Sequence, residues 1–332
     1  MGTMSLPCVH ILSTGGTISA RTENSVQTTG YTASTIGVHE LIDAVPLITR
    51  FAEIKGEQIT NLLSHSLTFD ILARLANRIN ALLCTPQVDG IVVTHGTNTL
   101  EETAFFLNLV VKSTKPVVLT AAMRPASAVS ADGPANLLNA VCLAASQDSH
   151  GRGVLVTMND QIHSGRDVVK THTTALDAFK TLELGVLGVM HEGTPHFFRQ
   201  SLRRHTVHSD FNVTGMTTFP RVDIIYCHIH DDLNHLQASV AAGAKGIVAA
   251  ATGNGMISDV VKDGLIDAWR RGLVIVRSSR CGSGSVTRVA QDDENVFVAA
   301  GNLNPQKARI LSMLALTQTN SPDAIQIIFN EY

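Results

Sequence analysis

Ser13-Thr14-Gly15-Gly16-Thr17 follows directly on the apolar run Val9-His10-Ile11-Leu12. Paired glycines permit a tight turn and let backbone N–H groups approach a ligand closely. A hydroxyl placed just after them is either a nucleophile beside those donors or a helix-capping threonine in an ordinary turn. The spacing is neither GxGxxG nor a P-loop, which disfavours nucleotide binding. A second segment, Thr94-His95-Gly96-Thr97-Asn98-Thr99-Leu100-Glu101-Glu102, again sets a threonine after a glycine. Thr99 and Glu102 have capping-box spacing, so Thr99 reads as structural and Thr97 as the hydroxyl available for chemistry. His95 reads as a histidine hydrogen-bonded within its own loop. A third segment, Gly165-Arg166-Asp167-Val168-Val169-Lys170, ends in a lysine. On the surface such a lysine is a solvated charge; in a buried site it loses its proton and activates a hydroxyl. Nucleophile, base and N–H donors are the requirements of amide hydrolysis.

The elements that must position these groups alternate. Residues 90–94, 116–120 and 153–157 read as strands, with helices over 100–111 and 134–146 between and after them. Over 68–83, Phe69, Leu72, Leu75, Ile79 and Leu82 fall at helical spacing. Continuous apolar strands separated by helices predict a parallel sheet covered on both faces. In such sheets ligands sit beyond the carboxyl ends of the strands. The pattern breaks in the polar stretch before Pro220, then resumes with strands over 222–226, 246–250 and 273–277 and helices over 258–271, 305–317 and 322–329. The expected organisation is an N-terminal α/β catalytic domain over 1–197, a linker over 198–219 and a C-terminal α/β domain over 220–332.

Composition bounds the partners. The chain has 332 residues, 44% hydrophobic and 16% charged, with a net charge of -3. That balance is globular and offers nucleic acid no basic patch. No run approaches the roughly 20 apolar residues that span a bilayer. The five cysteines are widely spaced without CxxC, so neither a disulfide framework nor a cysteine-based zinc site is expected. Among 14 histidines the best cluster is His228-Ile229-His230-Asp231-Asp232, read as structural or surface rather than metal-binding. The first residues lack the basic and apolar regions of a secretory signal. A cytoplasmic protein is expected, or a periplasmic one whose leader has been removed.

Taken together, the segments resemble bacterial-type L-asparaginases, most closely the glutaminase-asparaginase (type II) branch. The matching motifs are Ser-Thr-Gly-Gly-Thr at 13–17, Thr-His-Gly-Thr at 94–97, Ala-Met-Arg-Pro at 122–125 and Ser-Ala-Asp-Gly-Pro at 130–134. Met-Asn-Asp at 158–160, Gly-Arg-Asp at 165–167, Arg-Ser-Ser-Arg at 277–280 and Leu-Asn-Pro-Gln-Lys-Ala-Arg at 303–309 complete the set. The resemblance runs from about residue 8 to the C-terminus. It implies a two-domain asparaginase-like α/β fold, with a larger N-terminal parallel-sheet domain and a smaller C-terminal domain, in a homotetramer built from intimate dimers. It implies a small-molecule amide substrate and neither metal nor organic cofactor. Thr17 would be the primary nucleophile, on a flexible lid that carries Tyr31. Thr97 and Lys170 would form a second catalytic group. The reaction implied is hydrolysis of the side-chain carboxamide of L-asparagine to L-aspartate and ammonia. The Thr-, Gly-, Asn- and Ser-rich composition of residues 23–34 suits a mobile loop.

The substrate-holding positions depart from the family. Ser64 is kept, but His65 stands where Gln is usual and Asn98 where Asp is usual. Gln291 aligns with a glutamate, and Met256 with an asparagine, that a neighbouring subunit contributes in the family. A buried α-ammonium without a carboxylate partner loses on the order of a few kcal/mol of binding. Asn98 also removes a negative charge near Lys170, which disfavours the protonated amine. Two expectations follow: an asparaginase with weaker affinity, or an amidase for succinamate-like or N-substituted asparagine substrates that lack a free α-ammonium. A non-catalytic ligand-binding protein is the alternative of another class, opposed by the retention of Thr17, Tyr31, Thr97 and Lys170 together. The disulfide of secreted relatives is expected to be absent, since Cys84 lies near one of its positions and Ser113 near the other.

Overall fold

The computed structural model describes residues 5–22, 24–27, 36–290 and 297–332; Tyr31 and Gln291 lie outside the described residues. The chain divides into two compact units, Met1–Gly215 and Met216–Tyr332.

Among its described residues unit 1 has ten strands: β1 (Cys8–Ser13), β2 (Glu53–Gln58), β3 (Gly90–Thr94), β4 (Val117–Thr120), β5 (Val154–Met158), β6 (Gln161–Ser164), β7 (Val169–Lys170), β8 (Phe179–Lys180), β9 (Gly188–His191) and β10 (Thr194–Phe197). Its helices are α1 (Val38–Asp43), α2 (Phe69–Leu83), α3 (Leu100–Val110) and α4 (Gly133–Ala145). Eight strands form one sheet in the order β10-β9-β6-β5-β4-β3-β1-β2. The five from β5 to β2 are parallel, as the apolar runs predict. Every residue of β3, β4 and β5 is buried, because helices cover both faces.

The remaining three strands are antiparallel, so the sheet is mixed rather than parallel. Two of the three antiparallel pairings are hairpins closed by two-residue turns. Asn159 and Asp160 (φ 51° and 60°) join β5 to β6, and Glu192 and Gly193 (φ 49° and 75°) join β9 to β10. Positive φ at both central residues matches the right-handed twist of a hairpin. β6 and β10 carry Gln, His, Ser and Thr, so neither appears as an apolar run. β7 and β8 pair separately, which puts Lys170 on a strand rather than in a loop.

The core on one sheet face joins Val9, Ile11, Val92, Val118 and Leu155 to Leu137, Ala140 and Val141 of α4. On α2, Leu72, Leu75, Ala76, Ile79, Leu82 and Leu83 are buried, as the periodicity predicts. Within 198–215, Phe211 and Val213 are buried and the Ser209 hydroxyl donates to Leu109 O, so this stretch packs into unit 1.

Unit 2 has four parallel strands in chain order, β11 (Val222–Tyr226), β12 (Gly246–Ala251), β13 (Val274–Ser279) and β14 (Val298–Ala299). Its helices among the described residues are α5 (Asn234–Ala241), α6 (Asp259–Arg270), α7 (Pro305–Ala315) and α8 (Pro322–Glu331). Ser258, Asn304 and Ser321 accept from first-turn N–H groups at the starts of α6, α7 and α8. Pro305 and Pro322 occupy first-turn positions, where no intrahelical donor is lost. The two-domain α/β architecture expected from the sequence is the one observed.

Candidate active site

The carboxyl ends of β2, β1 and β3 lie side by side, with Ser13 in register with both Gln58 and Thr94. The loops that leave them stay together. Thr14 donates through both its backbone N and its hydroxyl to Thr94 O, each at 3.0 Å. Gly16 has φ 90°, and a Cβ built on it would lie 2.3 Å from Gly96 Cα. A Cβ on Gly96 would lie 2.7 Å from Ser64 Oγ. Glycine at both positions therefore lets three loops close on one another, which no side chain would permit. Thr17 and Thr97 each follow one of these touching glycines. Thr17 opens a 3-10 turn over Thr17–Ser19 and is 5% exposed; Thr97 is 6% exposed.

Lys170 comes from β7. Its Nζ is 2.8 Å from Thr97 Oγ1 and 3.3 Å from Asn98 Oδ1. Its backbone N–H donates to Glu101 Oε2 at 2.7 Å. Partial burial holds the Lys170 amine below the usual lysine range, and the Glu101 carboxylate opposes that shift. A depressed lysine hydrogen-bonded to a buried hydroxyl is the arrangement that activates an alcohol or a water. Glu101 is the member of this group that sequence reading leaves out. It stands in the first turn of α3, where an acidic residue is expected for the helix dipole alone.

Ser64 lies in a 3-10 turn after β2 and is 3% exposed. Its Oγ accepts from Thr99 N at 3.3 Å, and its carbonyl accepts the Thr99 hydroxyl at 2.8 Å. The capping-box expectation for Thr99 is thus corrected: its hydroxyl makes no cap on α3 and ties two loops together instead. Asn98 Nδ2 is 3.3 Å from His65 Nδ1, and both side chains are exposed. His65 and Asn98 therefore meet Lys170 and Thr97 in one cluster. His95 is fully buried, with Nδ1 2.7 Å from Gly96 O and Nε2 2.9 Å from the Thr103 hydroxyl. Burial pushes its pKa down to about 4. A neutral ring donating from Nδ1 and accepting at Nε2 satisfies both contacts, so His95 braces the turn, as expected.

Other quoted motifs make contacts within their own segments. The Asp132 carboxylate accepts Met123 N and Arg124 N, both at 2.9 Å. Arg166 and Asp167 form a buried ion pair at 2.6 Å just before β7. Met256 lies in unit 2, where it pairs with Thr252 through two backbone hydrogen bonds and is 60% exposed. All five cysteines are free thiols. Among the described residues no group of three or more His, Cys, Asp or Glu side chains is arranged to hold a metal ion.

Residues 8–203 match the asparaginase N-terminal domain, and residues 221–329 match the glutaminase/asparaginase C-terminal domain. L-asparaginase 2 of Bacillus subtilis is 50% identical over 327 residues, covering 98% of this chain and 87% of the relative. A probable periplasmic L-asparaginase of Haemophilus influenzae is 46% identical over 329 residues, covering 98% and 93%. A solved structure of a probable cytoplasmic L-asparaginase from Campylobacter jejuni superposes with a TM-score of 0.96 at 45% identity, covering 98% of this chain and all of that one. With both halves of the chain matched in order and a glycine-stacked pair of threonine loops at the head of the sheet, this protein belongs to the asparaginase family.

Proposed function

We propose that the chain hydrolyses the side-chain carboxamide of L-asparagine to L-aspartate and ammonia. The observation that carries the reading is the 2.8 Å contact of Lys170 Nζ with Thr97 Oγ1, in a loop stacked glycine on glycine against the loop of Thr17. In this reading Thr17 Oγ attacks the amide carbon and forms an ester as ammonia leaves. Water then attacks the ester, regenerates the threonine and releases aspartate. Lys170 as a neutral amine takes a proton from Thr97 or from the attacking water. Ser64 is the anchor for the substrate carboxylate. Tyr31 and Gln291 keep the roles expected from the sequence, as lid residue and substrate contact.

A second reading is supported by one feature. His65 and Asn98 flank the catalytic pair without a carboxylate, and the carboxylate beside Lys170, Glu101, accepts from the peptide N–H. An amide without a free α-ammonium, such as succinamate or an N-substituted asparagine, would need no carboxylate here. Initial-rate ammonia release from L-asparagine, L-glutamine, succinamate and N-acetyl-asparagine separates the readings, with Thr17→Ala expected to lose at least ~1000-fold in kcat as the control. Faster turnover of succinamate than of asparagine would favour the second reading. Silence on the whole panel would sink both and bring forward a ligand-binding protein.

The same reading assigns a homotetramer built from intimate dimers, with Met256 and Gln291 serving a neighbouring subunit's site. It also assigns a cytoplasmic location. The Campylobacter neighbour is described as cytoplasmic and the Haemophilus relative as periplasmic. Among the described residues no helix is long and apolar enough to cross a membrane.

A further inference from the structure

We propose that Asn98 and His65 act as a positioning relay behind Lys170: the imidazole fixes the carboxamide, and the carboxamide aims the amine at Thr97. The proposal rests on Lys170 being the base of the proposed reaction. It gives Asn98 and His65 a role toward the base, beside the substrate contacts expected at their positions.

The argument starts from the two unlike ends of a carboxamide. Oδ1 of Asn98 is 3.3 Å from Lys170 Nζ, and Nδ2 is 3.3 Å from His65 Nδ1. With the lone pair of a neutral amine turned to Thr97, only N–H groups remain for the neighbouring amide, so the oxygen faces Lys170. The NH2 end then points at His65 and must find an acceptor there. His65 Nδ1 is therefore the accepting partner of this contact. A flipped carboxamide would set NH2 against Nζ and leave the imidazole without its donor.

The consequence for the base is geometric. A neutral lysine amine carries two N–H groups and one lone pair. Donation of one N–H to Asn98 Oδ1 restricts rotation about the terminal C–N bond and leaves the lone pair free to point at Thr97 Oγ1, 2.8 Å away. Asn98 supplies this orientation without a charge, whereas a carboxylate in its place would favour the ammonium form that cannot accept a proton. The charged group already beside the amine is Glu101, bound to the backbone N of Lys170 rather than to Nζ. Both relay residues are exposed, so their pairing adds little to stability, and its effect falls on the orientation of one amine.

The test is steady-state kinetics on L-asparagine for His65→Leu, His65→Gln, Asn98→Leu and the His65→Leu/Asn98→Leu double variant. Leucine fills the imidazole's place without an acceptor. The expected result is a fall of ~10-fold in kcat for His65→Leu with KM nearly unchanged, the size of one misaligned contact. Glutamine, whose Oε1 accepts from Asn98, should restore most of the loss. The double variant should be no slower than Asn98→Leu, because residues acting as one unit are not additive. The relay is overturned if leucine and glutamine at 65 behave alike, if KM moves while kcat holds, or if the two losses add. Lys170→Met distinguishes the levels. Retained kcat in Lys170→Met overturns the base assignment and the relay with it. Loss in Lys170→Met beside an unchanged His65→Leu overturns the relay alone.

Discussion

At the residue scale the proposed chemistry turns on one amine with two opposing influences. Burial lowers the pKa of Lys170 and the neighbouring Glu101 carboxylate raises it. Glu101→Gln keeps an acceptor for the Lys170 N–H but removes the charge, so the pKa should fall further. The amine is then neutral, and able to accept a proton, from a lower pH upward. The acid limb of the kcat/KM profile should therefore move to lower pH in Glu101→Gln. A limb that stays in place would mean that another group titrates in that range. Thr17, Thr97 and Lys170, the proposed catalytic set, stand out in the sequence because hydroxyls after glycines and a lysine in a third matching motif are distinctive in combination. Glu101 is not legible, since an acidic residue opening a helix already has a sufficient local explanation. The pairing of His65 with Asn98 across 33 residues is equally hidden.

At the element scale the site depends on backbone approaching backbone. Gly16 combines φ 90° with a 2.3 Å virtual contact to Gly96 Cα, so Gly16→Ala has nowhere to place its methyl group. The loops must separate or the turn must change, at a cost of about 2–4 kcal/mol. Urea unfolding should show that loss, and the variant should also lose ammonia release, because displacing the Gly16 loop displaces Thr17. Wild-type stability in Gly16→Ala would mean that the two loops are not stacked this tightly. The same scale explains the mixed sheet. Apolar runs announce β3, β4 and β5 but do not announce β6, β9 and β10; the two-residue turns at Asn159-Asp160 and Glu192-Gly193 reverse the chain from β5 into β6 and from β9 into β10. Neither dipeptide is the Asn-Gly or Asp-Gly pair that most strongly signals a hairpin.

At the scale of the whole molecule each unit has its own sheet and core, joining Val92, Val118 and Leu155 in unit 1 and Ile247, Ile275 and Leu265 in unit 2. The proposed sharing of site residues between subunits makes activity depend on assembly. Light scattering at assay concentration should return the mass of four chains, and dilution that yields monomers should abolish ammonia release. A fully active monomer would contradict the assignment of Met256 and Gln291 to a neighbour's site.

The sequence by itself determined the class of structure, the two-domain organisation and the chemical inventory: apolar periodicity specifies which segments become strands and helices, and glycine-flanked hydroxyls mark the turns at their ends. These are local properties of the chain. Tertiary structure alone decided which glycine meets which, that Thr99 binds Ser64 rather than capping its helix, and that Lys170 reaches Thr97 from 73 residues away. Each of those outcomes depends on the register between strands distant in sequence, and register is set by the packing of the whole sheet rather than by any one segment.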